Sequence, residues 1–148
     1  MKLRLVAAAA LLLLPTCAAP YKPGLGELMT FQQLRHDKLW LAGSAGNWAL
    51  AAYEADELQE GFDDVVGYWP THPDLPLPPA ELVPRLVAAP LREVRAAVEA
   101  RDTHAFETAF DKLTAGCNSC HQATNHGFNL VRRPQPGWFG NQDFAPPR

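Results

Sequence analysis

The sequence predicts an all-α fold: an antiparallel four-helix bundle followed by an irregular tail. Three observations predict it. Apolar residues recur at helical spacing in four stretches between residues 25 and 126. Clusters of glycine or proline separate several of those stretches. No segment alternates apolar and polar residues as a half-buried strand would. Four amphipathic helices with three connections pack most simply up-down-up-down. A chain of 148 residues suits one compact domain, and its 47% hydrophobic content is enough for a core.

Residues 1–18 read as a signal peptide. Lys2 and Arg4 precede the unbroken apolar run Leu5 to Leu14, which is too short to span a bilayer. The small residues of "PTCAAP" follow, and cleavage after Ala18 suits them. Export to the periplasm is therefore expected. Loss of Lys2 and Arg4 takes the formal charge from −3 to −5. "LPTC" also loosely resembles a lipoprotein box, so cleavage after residue 16 and a lipid anchor on Cys17 is the alternative. No second apolar run is long enough for a transmembrane helix.

The first helix is expected over Leu25 to Ala42, with Leu25, Leu28, Met29, Gln32, His36, Leu39 and Trp40 on one face. "GSAG" ends it. The second is capped by Asn47, with a stripe of Trp48, Ala51, Ala52, Ala55, Leu58 and Phe62. Glu54, Asp56, Glu57 and Glu60 read as its solvated side. "PTHPDLPLPP" cannot continue a helix. A third segment is expected over about Ala80 to Arg101, with Pro84 in its first turn and a kink or split at Pro90. The fourth starts at Asp102 or Thr103, turns Phe106, Phe110, Leu113 and Cys117 inward, and ends at Gly127. The bundle thus spans residues 25–126. Residues 127–148 are the tail, with Trp138, Phe139 and Phe144 as candidates to pin it to the bundle.

The acidic net charge gives no electrostatic case for nucleic acid. There is no serine–histidine–aspartate set, no phosphate-cradling glycine loop and no reasoned carboxylate pair, so an enzyme is not expected. The chemistry is concentrated in "GCNSCHQATNH", Gly116 to His126. On a helix, Cys117, Cys120 and His121 stand at i, i+3 and i+4 and share a face. Two thiols so placed can form thioethers to one haem edge while His121 offers a nitrogen to the iron. This is the c-type haem attachment signature, and export suits it. A disulfide across this helical spacing strains the backbone and leaves His121 unexplained. A zinc site on Cys117, Cys120 and His121 or His126 is the other rival. A thioredoxin-like pair needs an α/β context that is missing here.

"AFETAFDKLTAGCNSCH", late in a helical chain, resembles the class II c-type cytochromes, the cytochrome c prime group and its low-spin relatives. The resemblance covers about residues 25 to 126. It implies a four-helix bundle with one covalent haem c on the last helix, thioethers at Cys117 and Cys120, and His121 as proximal iron ligand. The chain departs by continuing for 27 residues after the histidine and by carrying Pro90 in its third helix, which marks it as a divergent relative.

Low-spin members of that group take a sixth ligand from a methionine early in the first helix, which implies Met29. In antiparallel helices Met29, about one turn after its helix start, lies level with His121, about one turn before its helix end. His36 is the alternative, on the same face but roughly 10 Å further along the axis. Trp40 is a candidate pocket wall. Arg132 and Arg133 are candidates for pairing with the haem propionates, and His126 for a place beside them. The expected function is a one-electron carrier with histidine–methionine iron, working with a redox partner protein in the cell envelope. Two alternatives stand beside it. If Met29 only packs, the iron is five-coordinate and binds nitric oxide or carbon monoxide, a reading kept open by the polar Gln32, Gln33 and His36. The chain also suits a haem subunit of an envelope complex, and a homodimer is compatible with the sequence.

Overall fold

The computed structural model describes residues 20–147 apart from 136 and 138. The expected signal peptide, Cys17 and Trp138 lie outside the described residues. Among those described, the chain is all-helical with no strand. Five helices follow in order: α1 (Leu25–Ser44), α2 (Trp48–Tyr68), α3 (Pro79–Leu86), α4 (Ala88–Ala100) and α5 (Thr103–Ala123). None of them is long and apolar enough to cross a membrane.

Side-chain caps open the two longest helices. Asn47 Oδ1 accepts from Leu50 N at 3.2 Å, and Asp102 Oδ1 accepts from Ala105 N at 3.0 Å. Left-handed residues close three helices, α1, α4 and α5. Gly46 (φ 72°), Arg101 (φ 55°) and Asn125 (φ 63°) each follow a helix end. Paired return bonds accompany each one, such as Asn47 N to Ala42 O at 2.9 Å and Gly46 N to Gly43 O at 3.1 Å. These are Schellman closures, which satisfy carbonyls left over at a helix end. Asn125, not Gly127, ends α5, because its short amide side chain tolerates the left-handed conformation.

The expected third helix is two. It breaks at Val87 (φ −112°, ψ −39°), three residues before Pro90. Pro90 has no N–H to give the Leu86 carbonyl, and its ring crowds that same oxygen, so the helix opens ahead of the proline. Pro84 lies inside α3, beyond the first turn where it was expected. The released end of α3 then meets α5 at Gly116. A Cβ there would lie closer to the Leu86 carbonyl oxygen than the 3.0 Å that real Cβ atoms respect. Only glycine lets α5 approach the break this closely.

The closest pairs are α1 with α2 and α4 with α5, bridged by α2 against α4. Leu39, Leu58, Leu91, Val94, Phe106, Phe110 and Leu113 are almost wholly buried between them. Each contributes roughly 1.5–3 kcal/mol of burial free energy. Trp40, Phe106 and Phe110 form an aromatic stack with centroids 5.0–6.0 Å apart. Glu54, expected on the solvated side of α2, is only 3% exposed, whereas Ala52, expected in the stripe, is exposed. Burial pushes the Glu54 carboxyl above the usual carboxylate range, and Lys38 Nζ at 3.9 Å pulls the other way. The tail is irregular but returns to the bundle. Phe144 packs against the core, and Asn47 Nδ2 donates to Ala145 O at 3.1 Å.

Candidate functional site

One cavity of about 380 Å³ gathers most of the residues that carry chemistry in this chain. Its volume falls in the usual range for small-ligand and cofactor sites. α1 contributes Leu25, Met29, Gln33 and His36, and α5 contributes Cys117, Cys120, His121 and Thr124. Phe62, Val65, Leu82, Val83 and Val87 supply apolar wall from α2, α3 and the α3–α4 break. The connector after α2 closes over it with His72 and Leu75. That connector is held by Trp69, whose Nε1 donates to Pro23 O at 2.8 Å and whose ring lies 4.9 Å from His72.

Cys117 and Cys120 are both free thiols, partly buried, one helical turn apart. Burial pushes the Cys117 thiol up to about 12, with the neighbouring Cys120 adding to the effect, and burial also raises Cys120. Both are therefore protonated at neutral pH. The described residues contain no group of three or more His, Cys, Asp or Glu placed to hold a metal ion by themselves.

His121 is oriented from outside its helix. Its Nδ1 lies 2.6 Å from the carbonyl oxygen of Asn129. A carbonyl only accepts, so Nδ1 carries the proton and Nε2 keeps its lone pair free. The chain two residues beyond Asn129 is fixed to α5 in turn. Asn118 Nδ2 donates to Val131 O at 2.9 Å, and Val131 N donates to Asn118 Oδ1 at 2.8 Å.

His36 is 2% exposed. Its Nε2 lies 2.9 Å from Thr114 Oγ1, and that hydroxyl donates to Phe110 O at 2.9 Å. The hydroxyl has spent its proton, so His36 Nε2 donates and Nδ1 holds the lone pair. That Nδ1 is buried without a hydrogen-bond partner, and the Asp37 carboxylate stops 3.8 Å away. Gln32 is not free to meet a ligand. Its amide donates to Leu58 O at 3.0 Å and its oxygen accepts from Arg35 at 3.2 Å.

Three expected contributors lie outside the cavity wall. Trp40 packs on Phe106 and Phe110 instead. Arg133 makes a two-pronged ion pair with Asp111, both bonds 2.7 Å, and its guanidinium lies 4.1 Å over the Trp40 ring. Arg132 is exposed. His126 does line the cavity, with Nδ1 donating to Thr124 O at 2.7 Å. His72, Asn118 and Asn129 were not singled out from the sequence. The length of chain after His121 is the one signal that could have led to Asn129; nothing in the sequence marked Asn118.

The residues present suit a covalently held haem. Two thiols and an imidazole with a free Nε2 sit at one side of a largely apolar cavity, and His36, whose Nδ1 is buried without a partner, is among its lining residues. Searches of family models, characterised proteins and solved structures returned no match to this chain.

Proposed function

We propose that the chain is an exported c-type cytochrome that carries single electrons in the cell envelope. The observation that carries this reading is the meeting of Met29, Cys117, Cys120 and His121 on one cavity. Haem, when bound there, supplies the ferric–ferrous couple. Cys117 and Cys120 hold it covalently, and His121 presents Nε2 to the metal while Asn129 keeps the Nδ1 proton in place. The apolar walls exclude water and lower the local dielectric. A redox protein of the envelope is the partner this requires.

In this reading the helices form an antiparallel four-helix bundle, with α3 and α4 together taking the third place. The His36–Thr114 contact then sets the register of α1 against α5. Seven residues back along α1 is Met29, and seven residues on along α5 is His121. Each step covers about 10 Å, so Met29 stands level with His121 and His36 stands about two turns away. His36 Nε2 is also already engaged by Thr114. Both points support Met29 over His36 as the sixth ligand.

One observation favours a second reading, a five-coordinate iron that binds a small gas. His36 Nδ1 is an unsatisfied polar atom on a side chain lining the cavity, and such an atom is stabilised by a water or ligand beside it. Absorption spectra of the oxidised and reduced protein separate the two. A methionine–iron charge-transfer band that disappears in Met29→Ala is the expected result. A high-spin spectrum unchanged by that substitution rejects Met29 ligation and selects gas binding.

A further inference from the structure

We infer that Asn118 is a positioning residue for His121, acting through the carboxy-terminal segment that it clamps to α5. The inference rests on the haem reading above and adds a role for a residue between the two cysteines and for the chain that follows them.

Asn118 uses its whole amide on one backbone residue. It donates to Val131 O and accepts from Val131 N, so both main-chain groups of Val131 are fixed by one side chain. A second anchor lies at Arg133, which grips Asp111 with two bonds of 2.7 Å. Asp111 and Asn118 are seven residues apart on α5, about two turns, and so lie on nearly the same side of the helix. The segment is thus laid back along α5, running from the helix's C-terminal end toward its N-terminus. At the helix end, Asn129 N donates to His126 O at 2.8 Å, which turns the chain back. The Asn129 carbonyl is held between that turn and the Val131 clamp, on the His121 ring.

An ordinary helix closure does not need this contact. The Schellman bonds of α5, His126 N to His121 O and Asn125 N to Gln122 O, use only the backbone. The ring of His121 is a separate recipient. What the carbonyl does to the ring is chemical: it selects the tautomer with Nε2 free and makes that nitrogen a stronger donor to a metal. A stronger donor favours ferric over ferrous iron, so the clamp holds the potential down.

The test uses the full mature chain, with and without haem. In ¹⁵N spectra of the haem-free protein, His121 is expected as a single Nδ1–H tautomer. Asn118→Ala turns it into a mixture, and Asn118→Asp, which keeps the acceptor for Val131 N, falls between. In the haem-loaded protein, Asn118→Ala raises the reduction potential and Asn118→Asp recovers part of the shift. A variant that melts at lower temperature while its His121 tautomer and its potential stay as in the parent protein overturns the inference, since Asn118 then serves only the fold. If Asn118→Ala does not fold, Asn118→Asp decides by the same two readings. A parent protein that never acquires haem rejects the proposed function instead, and the tautomer of the haem-free chain still decides the role of Asn118.

Discussion

Gly116→Ala probes the joint between the fold and the site. Gly116 directly precedes Cys117, and its missing side chain admits the Leu86 carbonyl freed by Pro90. An added methyl would fall inside the 3.0 Å floor from that oxygen and 3.3 Å from its carbon. Ordinary separation requires on the order of 1 Å of movement. The neighbour is backbone at a helix end, not the tip of a flexible side chain, so it yields at high cost. Overpacking of this kind costs typically 1–3 kcal/mol, and a backbone clash belongs at about 3. Alanine returns about 1 kcal/mol of helix propensity, leaving a net loss of about 2 kcal/mol. For a domain of this size that lowers the melting temperature by roughly 8 °C. Gly67→Ala is the control, since a Cβ there meets nothing within 4 Å. It should be neutral or stabilise by up to about 1 kcal/mol. Thermal unfolding by circular dichroism reads both. A Gly116→Ala protein as stable as the parent would refute the close approach of α5 to the α3–α4 break.

Two further outcomes are expected. Glu54→Gln should stabilise the fold at neutral pH. The raised carboxyl means that the folded chain keeps its proton to higher pH than the unfolded chain. Stability therefore falls as pH rises from the ordinary carboxylate value through the raised one, and the glutamine variant escapes that fall. Melting curves of both proteins should converge at low pH and separate at neutral pH; equal curves at neutral pH would contradict the burial of Glu54. Phe110→Ala should cost about 3–5 kcal/mol in urea unfolding, because the ring is wholly buried. It packs between His36 at 4.4 Å and Trp40 at 5.0 Å. A cost below about 1 kcal/mol would place that ring outside the core.

What could be read from the sequence was whatever repeats or punctuates. The inward positions Leu28, Leu39, Phe106, Phe110 and Leu113 followed from helical spacing, and the caps Asn47 and Asp102 from their side chains. Pro90 announced the break, though not that it would open at Val87. Glu54 was misread because a carboxylate counts as surface until its surroundings are known. That Met29 and His36 of α1 and Cys117, Cys120 and His121 of α5 could line one cavity was legible because each pair or triplet lies on one helix face. The clamp was not, since Asn118, Asn129 and Val131 meet across an irregular segment that carries no period. Arg133 was matched to a carboxylate by its chemistry, and a carboxylate is what it holds, but that of Asp111 in the chain itself.

The proposed electron carrier requires a haem joined through Cys117 and Cys120. Intact-mass spectrometry of the mature protein, produced in a host that matures c-type cytochromes, reads that linkage. The expected mass is that of the polypeptide plus one haem, retained through acid–acetone extraction and lost in the Cys117→Ala, Cys120→Ala double variant. A mass equal to the bare polypeptide from the same host would contradict it.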